Sequence, residues 1–114
     1  MEKRLSFATI TPELISQVRD RIVERVHPDQ IYLFGSAARG NTAEESDLDI
    51  LVVMDLPGDT NRRQLVAEIR ELFQGWMVPM DILILTPAEF REGVHLYGHI
   101  ARIAREEGEL LYDR

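Results

Sequence analysis

The sequence predicts a small α/β (α+β) fold with a mixed β-sheet and helices packed mainly on one face, and three observations indicate it. Segments with helical periodicity alternate with short Ile, Leu and Val-rich runs, in the order helix, strand, strand, helix, strand, helix. The apolar fraction of 45% and charged fraction of 29% are typical of globular proteins. The length of 114 residues is typical of one domain, so residues 1–114 are expected to form a single unit with one layer of helices.

Charge and composition exclude several function classes. The chain carries 20 acidic and 13 basic residues, a net charge of −7, which argues against binding long nucleic acid through its phosphate backbone. The absence of cysteine excludes disulfides, thiolate metal sites and cysteine nucleophiles. No apolar run is long enough to cross a bilayer, and the N-terminus lacks a signal peptide, so a cytoplasmic protein without membrane contact is expected.

The N-terminal third predicts one helix and one strand. Thr11 and Pro12 form a helix start, and apolar residues then recur every four positions until His27-Pro28 ends the helix. The run Ile31–Phe34 is expected to be a buried strand that enters a tight turn at Gly35.

The middle of the chain predicts a strand and a second helix. The strand is expected over Asp47–Val53, followed by a loop over Asp55–Asp59. Thr60 is a candidate cap for the helix, which Gly75 ends. The apolar face of this helix consists of Leu65, Val66, Ile69, Leu72 and Phe73.

The C-terminal part predicts a third strand over Val78–Leu85. Thr86 then opens another helical turn. The last helix is expected over Leu96–Glu107, with Gly108 at its C-cap.

Two aspartates at the start of the second strand are the first sign of chemistry. Side chains alternate across a strand, so Asp47 and Asp49 project from the same face, about 7 Å apart along the chain. Charges about 4 Å apart repel by roughly 4 kcal/mol at an effective dielectric of 20. Such a pair therefore either retains a proton or binds a divalent cation between its oxygens.

A third aspartate, Asp81, lies within the apolar third strand. An unpaired buried charge costs several kcal/mol, so Asp81 is expected to find a partner in a cation shared with Asp47 and Asp49. Three carboxylates on adjacent strands suit Mg²⁺, a hard ion that retains water and substrate phosphates as its other ligands.

A Gly-Ser pair follows the first strand and precedes the acids by ten residues. Gly35 allows close backbone approach, and the Ser36 hydroxyl with the following amides can donate to phosphate oxygens. Arg39, one turn later, adds positive charge there, although it could instead pair with Glu44 or Glu45. The residues together predict phosphate bound by Gly35, Ser36 and Arg39, opposite a metal bound by the three aspartates.

With these residues the chain resembles the nucleotidyltransferase superfamily typified by DNA polymerase β. The pattern is a Gly-Ser pair, a spacer, Asp-x-Asp and a later strand aspartate, here Gly35-Ser36, Asp47-Leu48-Asp49 and Asp81. It is most similar to the minimal nucleotidyltransferases, the MNT antitoxins that pair with HEPN toxins. That similarity includes Ala38-Arg39-Gly40 and the tail Ile103–Tyr112.

The resemblance implies an activity. Two Mg²⁺ ions held by Asp47, Asp49 and Asp81 would bridge to a nucleoside triphosphate, usually ATP, and Asp81 would help to deprotonate the acceptor. The acceptor would be a hydroxyl, usually a tyrosine, of a HEPN toxin that AMP transfer silences, which makes the protein an antitoxin in a hetero-oligomer.

Two alternatives remain open. A non-catalytic antitoxin would neutralise its partner by complex formation alone. A nucleotidyltransferase could also act on a small-molecule hydroxyl, although larger enzymes of that kind carry an extra helical domain for the acceptor.

Overall fold

Eight elements make up the described part of the chain. The computed structural model describes residues 10–35, 38 and 47–114. In chain order the helices and strands are α1 (Pro12–Val26), β1 (Gln30–Phe34), β2 (Leu48–Val53), α2 (Arg62–Glu71), β3 (Met80–Leu85), α3 (Pro87–Gly93), α4 (Ile100–Glu107) and β4 (Glu109–Asp113).

The four strands form one mixed sheet in the order β3-β2-β1-β4. β2 runs antiparallel to β1 and parallel to β3, and β4 runs antiparallel to β1. The predicted α/β fold with a mixed sheet is therefore confirmed. β2 lies inside the sheet, which explains its run of buried apolar residues from Ile50 to Val53.

Helices cover both faces of the sheet. On one face, Ile50 of β2 packs in the larger core with Ile22 of α1 and Ile69 of α2. On the other, Leu51 packs in a smaller core with Phe90 of α3 and Ala101 of α4. The longer helices lie mainly on one face as expected, but α3 and α4 add a second layer that replaces the single layer predicted. Apolar periodicity shows which side of a helix is buried, but it does not show on which face of the sheet the helix packs.

Local capping chemistry sets the helix starts. The Thr11 side chain accepts a hydrogen bond from Leu14 N at 3.1 Å and begins α1 as predicted. Asn61, not Thr60, caps α2, accepting from Gln64 N at 3.0 Å, whereas the Thr60 hydroxyl donates to a loop carbonyl. Both side chains can cap a helix, and the backbone conformation of the preceding turn places Asn61 at the N-cap position.

The C-terminal region departs most from the sequence prediction. The last helix begins at Ile100 rather than Leu96, because Gly98 has φ 81° and His99 Nδ1 accepts from Ala101 N at 3.0 Å as the N-cap. The tail after Gly108 forms β4 against β1, pairing Tyr112 with Ile31. β4 was not predicted as a strand, since its assignment depends on an edge of β1 that only the folded sheet provides.

No helix in the described ranges is both long enough and apolar enough to cross a membrane.

Candidate active site

Three aspartates meet at one end of the sheet. Asp49 of β2 lies directly opposite Asp81 of β3 in the parallel register, and Asp47 immediately precedes β2. One carboxylate oxygen from each of the three residues lies within 4.8 Å of the other two. The structure therefore brings together all three acids that the sequence singled out.

The parallel pairing of β2 and β3 explains this meeting. α2 connects the two strands, so both begin at the same end of the sheet, and Leu48 N donates to Pro79 O there at 2.9 Å. β1 runs the other way and ends at this same place, where Phe34 pairs with Asp49. The first residues of β2 and β3 and the end of β1 thus surround one small region.

The carboxylates differ in exposure and charge environment. Burial, reinforced by the negative charges of Asp81 and Asp47, raises the pKa of Asp49 above its usual value. The side chain of Asp81 is 68% exposed, with Arg70 Nη2 at 4.0 Å from its Oδ1. The expectation that Asp81 is buried is therefore wrong, because β3 is an edge strand that leaves the side chains of Asp81 and Leu83 exposed on one of its faces.

Gly35 is fitted against the acids. Its φ is 78°, in the left-handed region that favours glycine. A Cβ placed on Gly35 would collide with Asp49 Oδ2 and lie 3.1 Å from Asp49 Cγ. The turn after β1 therefore needs glycine both for its backbone conformation and for the space that the Asp49 side chain fills.

The donor set fits a hard divalent cation. Carboxylate oxygens are the preferred ligands of Mg²⁺, and two oxygens bound to one such ion lie at most about 4.2 Å apart. The separations of up to 4.8 Å between the three oxygens would close to this value by small rotations of exposed side chains. Asp47, Asp49 and Asp81 could thus share a metal ion.

Comparison with known proteins decides the family. Residues 15–111 match the nucleotidyltransferase domain family. The chain belongs to that family. It is also 30% identical over 100 residues to the Methanocaldococcus jannaschii protein named "putative protein adenylyltransferase", an alignment that covers 88% of this chain and 92% of that protein.

Solved structures share the fold of this nucleotidyltransferase at lower identity. A "putative nucleotidyltransferase" from Sulfolobus solfataricus is 21% identical, with a TM-score of 0.56, covering 90% of this chain and 79% of that one. A toxin-antitoxin structure with AMP-PNP is also 21% identical, with a TM-score of 0.54, covering 87% and 73%. A mutant MntA-HpeT toxin-antitoxin is 22% identical, with a TM-score of 0.52, covering 90% and 72%.

Membership makes the protein a nucleotidyltransferase, a family that generally uses a nucleoside triphosphate and a divalent metal. The aspartate cluster has the ligand chemistry for that metal. Two further residues of the predicted phosphate site, Ser36 and Arg39, lie outside the described residues.

Sequence reasoning missed Arg70, the basic residue beside Asp81. No motif contains it, but its position in the fold has a simple cause. A helix that connects two parallel strands runs antiparallel to them, so the C-terminal turn of α2 returns to the start of β3. A basic residue in the last turn of such a helix is the only signal that could have suggested it.

Proposed function

We propose that this nucleotidyltransferase transfers AMP from ATP to a hydroxyl of a partner protein, and that the partner is a HEPN-type toxin silenced by the modification. The observation that carries the proposal is the cluster of Asp47, Asp49 and Asp81 beside Gly35. The M. jannaschii relative, named as a protein adenylyltransferase, supports a protein acceptor. The toxin-antitoxin structures with the same fold favour a toxin as that protein.

The three aspartates are proposed to hold the metal. Their hard carboxylate oxygens favour Mg²⁺, and the resemblance to polymerase β-like enzymes implies two ions. Bound there, Mg²⁺ would neutralise charge on the triphosphate and on the entering and leaving oxygens. Asp49 is the most enclosed of the three, whereas Asp47 and Asp81 are exposed. Asp49 is therefore proposed to anchor the metal, and Asp47 and Asp81 are proposed to face the incoming substrates.

The proposed reaction is an in-line displacement at the α-phosphorus of ATP. The acceptor hydroxyl oxygen forms the new bond to phosphorus, the bond to the bridging oxygen breaks, and pyrophosphate leaves. The hydroxyl proton passes to a carboxylate oxygen of Asp81 and from there to water. With 68% of its side chain exposed, Asp81 is accessible both to a macromolecular acceptor and to the solvent that removes the proton.

Gly35 is proposed to let the triphosphate approach the backbone at the turn after β1. A side chain there would occupy space next to the Asp49 carboxylate. Ser36 and Arg39 are proposed to donate hydrogen bonds and positive charge to phosphate oxygens, as the Gly-Ser motif of the sequence suggests.

The test is transfer of label to a defined partner. The protein is incubated with Mg²⁺, α-labelled ATP and the protein encoded by the adjacent reading frame, and the modified residue is found by mass spectrometry. We expect Mg²⁺-dependent addition of AMP to a partner tyrosine, its loss in Asp49→Asn, and its retention in Asp55→Asn, an exposed loop carboxylate outside the cluster.

Two outcomes would contradict the proposal. AMP transfer by Asp49→Asn at the wild-type rate would show that the carboxylate cluster is not required for the reaction. Equal protection of the partner by wild type and Asp49→Asn, at equal stoichiometry and without modification, would favour a non-catalytic antitoxin.

A further inference from the structure

One basic side chain lies against the aspartate cluster. Arg70 Nη2 is 4.0 Å from Asp81 Oδ1, and one Asp81 oxygen lies within 4.8 Å of an oxygen of Asp47 and of Asp49. In the part of the chain that the structure describes, no other basic residue forms an ion pair with any of these three acids. Arg70 is therefore the cation that the described residues themselves bring to the cluster.

The fold fixes the place of this arginine. Arg70 lies in the last turn of α2, where the partial negative charge of the helix C-terminus favours a cation. The helix end is anchored on either side of it, since Ile69 is fully buried and Phe73 is nearly so. The Arg70 carbonyl also accepts a hydrogen bond from Phe73 N at 3.1 Å. The guanidinium thus extends toward Asp81 from a packed helix.

The Arg70–Asp81 contact differs from an ordinary surface ion pair. Arg62 of the same helix lies 2.9 Å from the single acid Glu89. The separation of Arg70 from Asp81 is longer, and the two side chains are 55% and 68% exposed, so this pair alone contributes little stability. What distinguishes Arg70 is that its acid belongs to a group of three carboxylates, whose summed negative potential one guanidinium partly neutralises.

A divalent cation at the cluster would share Asp81 with Arg70. An ion bound to Asp81 Oδ1 at about 2.1 Å lies within about 6 Å of Arg70 Nη2. At that distance one positive charge lowers the affinity for a divalent ion by about 2- to 3-fold at physiological salt. Because coupling between two binding events is reciprocal, the ion weakens the attraction of Arg70 to the cluster by the same factor.

We propose that Arg70 is a positioning residue that acts through Asp81. It is the counter-ion of the three carboxylates before a divalent cation binds, and it raises the cation concentration at which the cluster is filled. That the cation serves AMP transfer rests on the proposed function. The competition between cation and arginine requires neither nucleotide nor partner and can be tested separately.

The first test measures binding of Mn²⁺ alone, an ion that suits the same oxygen ligands, by loss of its free-ion EPR signal. At about 0.15 M salt, Arg70→Gln should bind Mn²⁺ about 2- to 3-fold more tightly than the wild type, and Arg70→Lys, which keeps the charge, should bind it like the wild type. Arg63→Gln is the matched control. It removes the same charge two turns earlier on the same face of α2 and should leave the affinity unchanged.

Thermal unfolding gives a second readout, which a merely structural role would not produce. In EDTA, Arg70→Gln should lower Tm by about 2–4 °C, because the carboxylates lose their counter-ion. With saturating Mn²⁺ most of this deficit should disappear, since tighter binding of the ion offsets it. In an Asp81→Asn background, Arg70→Gln should change Tm less, because the acid nearest to the guanidinium is gone.

Three results would overturn this inference. The first is equal Mn²⁺ affinity in Arg70→Gln and the wild type. The second is a Tm deficit of Arg70→Gln that is the same in EDTA and in Mn²⁺, which would assign the side chain to the packing of α2. The third is weaker Mn²⁺ binding by Arg70→Gln, which would show that the arginine supports the ion instead of opposing it.

The transfer assay separates this inference from the proposed function. AMP transfer to the partner, with equal Mn²⁺ affinity in Arg70→Gln and the wild type, would overturn the role of Arg70 and leave the function standing. The expected shift in Mn²⁺ affinity without any AMP transfer would support the role of Arg70 and contradict the function.

Discussion

Asp49→Asn should make the metal-free protein more stable. One Asp49 oxygen lies within 4.8 Å of an oxygen of Asp47 and of Asp81. At that separation two charges repel by about 0.9 kcal/mol in water and about 3.5 kcal/mol at an effective dielectric of 20. Because Asp47 and Asp81 are exposed, the lower figure applies to each pair, and Arg70 offsets part of it. Removing the charge should raise the free energy of unfolding by about 1–2 kcal/mol.

The measurement is thermal unfolding in EDTA at pH 7. For 114 residues, 1 kcal/mol corresponds to about 4 °C, so the Tm of Asp49→Asn should rise by about 4–8 °C. Asp55→Asn, in an exposed loop, is the control and should change Tm little. Mg²⁺ should raise the Tm of the wild type more than that of the variant, since only the wild type retains all three carboxylates.

The effect should also depend on pH. Burial and the neighbouring carboxylates raise the pKa of Asp49, so the folded protein holds this proton more tightly than the unfolded chain does. The destabilisation is therefore complete above the raised folded pKa and disappears below the unfolded value of about 4. The Tm advantage of Asp49→Asn should shrink as the pH is lowered through that window. A Tm at or below the wild-type value at pH 7 would refute the reasoning.

Two further substitutions test the elements around the site. Gly35→Ala should lower Tm by about 4–8 °C, since the left-handed φ of 78° costs alanine about 1–2 kcal/mol. The new Cβ should also displace the Asp49 side chain and so reduce AMP transfer at least about 10-fold. AMP transfer by this variant at the wild-type rate would contradict the close fit between Gly35 and Asp49. Thr86→Ala removes the capping box in which Thr86 Oγ1 accepts from Glu89 N at 3.1 Å, and should cost about 0.5–2 kcal/mol in denaturant unfolding. Thr86→Ser should restore most of that stability, and failure of the serine variant to do so would show that the hydroxyl is not the stabilising group.

Local signals in the sequence predicted most of the elements. Thr11, Pro12 and the spacing of apolar residues defined α1, because capping and periodicity act within a few residues of the chain. The same locality explains the errors. Thr60 and Asn61 can both cap α2, and the helical pattern after Leu96 extends across a turn at Gly98. The choice in each case depends on the backbone conformation of the turn before the helix, which residue type alone does not specify.

Packing at the sheet edges could not be predicted in the same way. Asp81 was expected to be buried from its apolar neighbours, but β3 is an edge strand and its side chain is 68% exposed. β4 exists only because β1 offers it a free edge. Strand order is a property of the whole sheet, and no window of sequence contains it.

The sequence by itself predicted the family and the residues proposed for the chemistry of this nucleotidyltransferase. The glycine after β1 and the aspartates at Asp47, Asp49 and Asp81 form the pattern by which the chain resembles the superfamily, and strand alternation alone puts the first two acids on one face. Only the tertiary structure decided that Asp81 lies opposite Asp49, that its side chain is exposed, and that Arg70 lies beside it. The physical reason is that residue type and local periodicity reside in the chain, whereas register, strand order and exposure arise from pairing between distant segments.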